Sequence, residues 1–278
     1  MVFLDYFEDA DIKAFEPEAK IGLLATVGGE GLPHVSLITT LRARSSKQLM
    51  WGQFCEGESK ANVRRNPKTA YVVMNADKNV WRGTARWTHE RREGEDYELY
   101  NNTPMFRYNS YFGIHTVHYM DLVSAKPPEH LSVPAVAAGA IYAMGARLLA
   151  RSKGRDTVMT SWSEAHCNKL DTLKFLAYVR EDGFPWVIPV VPSVAADSRR
   201  LVFARTTYRA ELEAIPNGST VALFAMNMQM ESVLLRGSYT GNRAGLGIVD
   251  INWVYNSMPP KPGQIYPPVP LRPVRWAS

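Results

Sequence analysis

The sequence predicts a mainly β chain of the α+β kind, made of two tandem copies of one small barrel with helical insertions. Three observations carry this. The chain repeats itself: shifted by 152 residues, Gly31, Pro33, Val35 and Leu49 fall on Gly183, Pro185, Val187 and Leu201. In the same register Ser46-Lys47-Gln48-Leu49 falls on Ser198-Arg199-Arg200-Leu201, and Ala70 and Met74 fall on Ala222 and Met226. After an inserted pair of residues, Trp81-Arg82-Gly83-Thr84 aligns with Leu235-Arg236-Gly237-Ser238. A shared register this long marks one module used twice. Within each copy, strand-length apolar runs alternate with glycine turns. Finally, 278 residues with 46% hydrophobic content suffice for two domains with their own cores.

The elements follow in order. Residues 1–20 mix acidic and aromatic side chains and predict a short lead-in helix ending near Glu16-Pro17. Residues 21–27 form an apolar strand closed by Gly28-Gly29-Glu30-Gly31. Strands are expected over 34–42 and 47–54, with Gly52 where a backbone or ligand approaches closely. Residues 57–67 predict a short helix stopped by Pro67, followed by strands over 69–74 and 80–89. A helix over 93–101 and an extended segment over 110–123 complete the copy. Two helices are expected in the connector, an Ala-rich one over 131–150 and another over 161–170. The module restarts at Leu173, with a turn at Glu181-Asp182-Gly183, a strand over 200–205 and a helix over 208–215. Its last expected strands are 220–226 and 231–240. Seven prolines from Pro259 to Pro273 predict a polyproline II tail lying along a surface. The domain bounds expected are 1–126, a connector 127–171, a second module 172–257 and the tail 258–278.

Composition narrows the function. A net charge of +5 is mild and scattered, and suits a phosphate-bearing small ligand; no nucleic-acid module signature occurs. Cys55 and Cys167 sit in no CxxC pair, so a reducing, cytoplasmic setting is expected. The first residues lack the basic flank and apolar core of a signal peptide. The Ala-rich run barely reaches spanning length and contains Pro134, Gly139 and Gly145, so a buried or partner-docked helix is expected, with peripheral membrane contact as the alternative.

The helix opening at Glu58-Ser59-Lys60 presents free N–H groups and a positive dipole end, which suit an anion. Ser59 adds a hydroxyl donor and Lys60 or Arg64 charge, while Thr39 and Thr40 offer donors from the neighbouring strand. Gly52 and Gln53 end a strand beside that helix, where a flat ring can lie.

The first module resembles the FMN-binding split barrel of the pyridoxamine 5′-phosphate oxidase-like superfamily. The resemblance rests on residues 22–27, Gly31-Leu32-Pro33-His34-Val35-Ser36, Gln48-Leu49-Met50-Trp51-Gly52, Ser59-Lys60, Asn62-Val63, Asn66-Pro67 and Val80-Trp81-Arg82-Gly83, in this order over about the first 120 residues. It implies two tandem split β-barrels and FMN as cofactor. It implies phosphate contact by Ser59 and Lys60, and ring contact by Ser36, Leu37, Ile38, Trp51, Gly52 and Gln53. His34, Trp51 and Arg82 are candidates for substrate contact, with no acid or base assigned. The second module keeps the framework and has Leu212 in place of Lys60. The substrate-phosphate motif Arg-x-His-x-Arg of true pyridoxamine-phosphate oxidases is absent, so vitamin B6 oxidation is not expected.

An FMN-dependent oxidoreductase acting on a small molecule, forming a homodimer, is the leading expectation. An electron-transfer flavoprotein working with a redox partner protein is the first alternative. A deazaflavin reductase would need a longer, more basic groove, and a haem-binding relative would need His115, His118 or His166 facing a pocket. No metal site is expected, since His115 and His118, three apart on a strand, point to opposite faces. Ser161, His166 and Asp171 lack the elbow and oxyanion loop of a hydrolase. The aromatic stretch from Tyr97 to Tyr119 is read either as a lid or as a core layer.

Overall fold

The computed structural model describes all residues except 1–2, 17–18, 105–106, 108–112, 149, 153, 155, 192, 243, 259–261 and 271–278. Two eight-stranded antiparallel sheets have the same strand order. In the first, β1 (Ile21–Val27) lies between β2 (Pro33–Leu37) and β5 (Lys68–Met74). Beyond β5 come β6 (Asn79–Arg91), β7 (Thr116–Ala125), β4 (Gln48–Gln53) and β3 (Arg42–Ser45), and β8 (Glu129–His130) pairs with β6. The second sheet repeats this path with β10 (Pro185–Pro189), β9 (Leu173–Val179), β13 (Thr220–Met226), β14 (Ser232–Gly241), β15 (Leu246–Asn256), β12 (Arg200–Ala204) and β11 (Ser193–Asp197). The expected strand 34–42 is two strands, because the chain turns at Thr39-Thr40.

Alternation explains why the central strands are apolar on both faces. Leu24, Tyr71 and Val73 point into the first barrel, which α1 (Asp9–Ala14) and Phe7 and Phe15 help to close. Leu23, Ala25, Ala70 and Val72, one residue out of phase, meet Phe175, Ala177, Ala222 and Phe224 of the second module. Leu176, Val221 and Leu223 in turn face the second barrel's interior. Each of these strands is thus buried on both sides, which requires continuous apolar runs rather than alternation. The two modules share one apolar interface.

The ladders correct the repeat's alignment. Tyr71 pairs with Gly83 and Leu223 with Leu235, so the 152-residue register continues through β6 and β14 without insertion. The bulge between Thr84 and Ala85 matches the one between Arg236 and Gly237, with Gly83 one residue before the first and Gly237 bordering the second. A Cβ on Gly83 would lie 2.0 Å from the Ser124 carbonyl oxygen, and one on Gly237 2.1 Å from that of Asp250. Close backbone approach at the bulge, met by glycine on either side of it, produced the look of a two-residue shift.

Two strands near the end of the chain differ from expectation. β15 was not foreseen, yet it pairs with β14, with β12 and with β16 (Gly263–Tyr266). The proline-rich tail contains β16, held by the Trp253 indole donating to Gln264 at 2.9 Å. Leu271 and Trp276 of the tail lie outside the described residues, as do Phe106, Tyr108, Tyr111 and Phe112 of the aromatic stretch. Within the connector, α4 (Val133–Ala146) packs Ala143 and Ala146 onto Val194, Val202 and Leu246 of the second module. Among the described residues no helix is long and apolar enough to cross a membrane. α5 (Ser161–Asn168) is capped by Thr160.

Arg82, expected at a substrate, sits instead in the module interface. It is 1% exposed and its guanidinium donates to both carboxylate oxygens of Glu211 at 2.9 Å, to the Val187 carbonyl oxygen and to Glu129. The Lys126 ammonium and the Trp186 indole also donate to Glu211. Burial opposes ionisation of Glu211, but Arg82, Trp186 and Lys126 outweigh it and hold its carboxyl down at about 2. Removing one member of a buried pair strands the other charge. Arg82→Ala should therefore lower stability by about 3–5 kcal/mol in denaturant unfolding; a loss below ~1 kcal/mol, the scale of a surface pair, would contradict a buried lock.

Candidate functional site

The apolar interface leaves a groove along one side, between the first module's α2 (Glu58–Arg65) and β2 and the second module's β14–β15–β16 edge. Three cavities of about 330, 280 and 660 Å³ follow one another along it. The first two share His34, Glu58, Tyr255 and Pro262, and the second and third share Leu37, Thr39 and Met230. Gly28, Gly29, Asn62, Arg65 and Arg236 line the first, and Ser36, Phe54, Cys55, Lys60 and Ser232 the second. The third is lined mainly by aliphatic side chains and methionines, with Lys20, Lys78, Asp171 and three neutral polar residues among them.

Unpartnered donors gather at the junction of the first two cavities. The Lys60 ammonium, 6% exposed, makes no ion pair among the described residues and lies 6.0 Å from the centre of the Trp51 ring. Burial lowers its pKa, against the opposing pull of Cys55 and Glu56. From the other module, the Arg236 guanidinium stacks 4.0 Å over Trp253, and its Nε is buried without a hydrogen-bond partner. Burial lowers the pKa of Arg236 too, with Glu30 and Glu58 opposing. The Ser59 hydroxyl, next to Lys60 in the chain, is also buried and unpartnered, but Ser59 itself lines none of the three cavities. Buried orphans of this kind are uncommon enough to call for a reason. Both cations act on His34, whose pKa is pushed down to about 3 first by burial and then by Arg236 and Lys60. The neutral imidazole packs edge-on against Tyr255 with ring centres 5.3 Å apart.

The second module supplies an internal comparison. In the 152-residue register Trp186, Glu211 and Leu212 stand where His34, Ser59 and Lys60 do. There the Glu211 carboxylate fills the position facing Trp186 and receives Arg82 from the opposite module. At that place in the second module an internal carboxylate thus neutralises the arginine. In the first, a hydroxyl replaces that carboxylate, and the cations remain.

The remaining residues singled out in the sequence divide into two groups. Ser36, Leu37, Thr39, Lys60 and His34 line the groove. Ile38 is packed in the first barrel's core, and the Thr40 hydroxyl is bonded to the Gly52 N–H and carbonyl oxygen at 3.1 and 2.9 Å. A Cβ on Gly52 would strike Ile114 at 2.8 Å, so its bareness serves packing. Trp51 is fully buried and stacked 3.9 Å from His118. The Trp87 indole donates to Nδ1 of His118, which leaves Nε2 as donor to the Gln53 side-chain oxygen at 2.8 Å. The Gln53 amide donates to Glu56. Trp51 and Gln53 thus belong to a buried layer beneath the groove. His115 is exposed, and His118 and His166 are buried outside the groove lining. Among the described residues no group of three or more His, Cys, Asp or Glu side chains is arranged to hold a metal.

Arg236, Ser232, Tyr255, Trp253 and the β16 segment had not been singled out as site residues. They come from the other module, and only the Arg-Gly step of the repeat pointed toward Arg236.

No protein-family profile and no curated protein sequence matches the chain. Among solved structures, it is similar to an FMN-binding protein from Syntrophomonas wolfei subsp. wolfei at 18% identity, over 44% of this chain and 84% of that one, with a TM-score of 0.36. It is also similar to HupZ of Group A Streptococcus, at 15% identity over 43% of this chain and 91% of the other, with a TM-score of 0.35. An F420 reductase matches at 15% identity over 43% and 98% of the two chains, with a TM-score of 0.36.

Stability should carry the mark of the buried histidines. His34 and His118 are both held down at about 3, mainly by burial, against 6.5 when free. Between those values the unfolded chain binds more protons, so stability is full above pH 6.5 and falls as pH drops toward 3. The slope is about 1.4 kcal/mol per pH unit for each histidine. His34→Gln should lower the slope between pH 4 and 6 by about 1.4 kcal/mol per pH unit, leaving the part owed to His118 and to His166, which burial also shifts down; an unchanged slope in denaturant midpoints would mean that His34 is protonated in the fold. As a fold, the chain is a tandem pair of split β-barrels.

Proposed function

We propose that the groove binds one FMN per chain and that the protein is a flavin-dependent oxidoreductase. The observation that carries this is that two cations from opposite modules, Lys60 and Arg236, line adjoining cavities and both act on the shared His34, and neither has an ion pair among the described residues. A phosphate monoester suits them. It brings two negative charges and several acceptor oxygens, and charge-assisted bonds are the strong kind. The α2 N-terminus adds its dipole to the same end. Glu58 at the groove wall supports the Arg236 charge without pairing to it among the described residues.

In this reading the phosphate lies near His34, whose neutral ring can donate to it or accept from it without adding charge. The middle cavity, walled by Ser36, Leu37, Phe54 and Met230, takes the flat ring. Bound there, flavin supplies the hydride or electron transfer chemistry, and the protein orients it and limits access. The matching place in the second module takes no cofactor, because Glu211 already neutralises Arg82. An electron-transfer flavoprotein would use the same groove, and no observation favours it over an enzyme. A homodimer and a cytoplasmic setting remain part of the proposal.

The absorbance of the purified full chain, with released chromophore identified and counted, tests the reading. One FMN per chain is expected. Ser59→Ala combined with Lys60→Ala should weaken FMN binding by ~2–4 kcal/mol, about thirty- to several-hundred-fold. Unaltered affinity in that variant, or failure to take up added FMN, would overturn the assignment. Two FMN per chain would overturn the exclusion of cofactor from the second module.

A further inference from the structure

The third cavity, the largest of the three, lies at the far end of the groove from the cations. Its walls come from both modules: Ile21, Leu37 and Met74 from the first, Leu173, Val191 and Met226 from the second. Leu131 and Val136 of the connector cover it. The charged groups that line it, Lys20, Lys78 and Asp171, are not among the buried charged residues. At the mouth, Leu170 and Met228 are 78% and 71% exposed, and Met230 adjoins the middle cavity. Two large apolar side chains held in water beside an aliphatic hollow are what a ligand's apolar surface would cover. Methionine's flexible thioether adapts to irregular shapes.

We propose that this cavity binds an uncharged, apolar small molecule of bicyclic size, with Leu37, Thr39 and Met230 as the contact between it and the ring-binding part of the groove. That it would be the substrate rests on the flavin reading; that it binds does not. Burying an anion's charge against the aliphatic walls is disfavoured, because the lysines of the lining, Lys20 and Lys78, are not buried and would hold a charge only toward solvent. A neutral molecule loses only water and gains apolar contact.

The test uses menadione as a neutral bicyclic probe and its 2-sulfonate as the charged counterpart, in equilibrium dialysis against the full chain with and without FMN. One menadione per chain is expected, with at least tenfold weaker uptake of the sulfonate. Leu170→Glu combined with Met228→Glu, both at exposed positions, should weaken menadione binding tenfold or more and leave FMN affinity within twofold. No saturable menadione uptake, equal uptake by the double variant, or equal uptake of the sulfonate would each overturn the proposal. FMN bound without menadione sinks the cavity assignment alone. Menadione bound without FMN sinks the flavin reading and leaves the cavity assignment standing.

Discussion

The apolar contact between the two modules is the constraint on which the rest depends. Leu23, Ala25, Ala70 and Val72 are buried with Phe175, Ala177, Ala222 and Phe224 in one cluster. Were the modules apart, the outer face of each barrel would lie in water, at a cost of about 25 cal/mol for every Å² of apolar surface exposed. The same contact brings β14 and β15 against α2, and so creates the groove. Stability and the candidate site therefore share one origin.

Charge then distinguishes two grooves that the repeat would make alike. Arg82 and Arg236 both lie before or at the bulge of equivalent strands and both reach toward the opposite module's short helix. Arg82 finds Glu211, which makes a buried ion pair supported by Lys126 and Trp186. Ser59 stands at the place of Glu211 in the repeat, and Arg236 stays without an ion pair among the described residues, with Glu30 and Glu58 acting on it from a distance. A buried ion pair contributes less to stability than its Coulomb attraction suggests, because two charges lose water. Its clearer effect here is to neutralise one arginine. The open groove keeps its donors for a ligand.

Along the open groove the character of the wall changes from cationic to polar to aliphatic. Such a gradient orients any molecule that has an anionic end and a flat body. It also assigns the far cavity to something apolar. Both His34 and His118 are kept neutral by burial, so neither adds to the positive end at ordinary pH.

Local pattern in the sequence determined the repeat, the mainly β class, β1, β5 and β13, and the helix opening at Ser59-Lys60. Those features depend on neighbours in the chain: apolar runs, glycine turns, and a helix stop at Pro67. β15 escaped because Asp250, Asn252 and the preceding glycines break its apolar run, and its pairing comes from strands on both sides. The tail strand β16 escaped because prolines surround it, and it becomes a strand only on the end of β15 that extends beyond the β12 pairing. The fates of Trp51, Gln53 and Arg82 depended on partners far along the chain, His118 and Glu211. So did half of the groove, whose wall residues from 230 to 264 meet α2 only when the modules close on each other. Only the tertiary structure decided which arginine is neutralised, because a side chain's charge partner is chosen by packing across the interface and not by its position in a repeat.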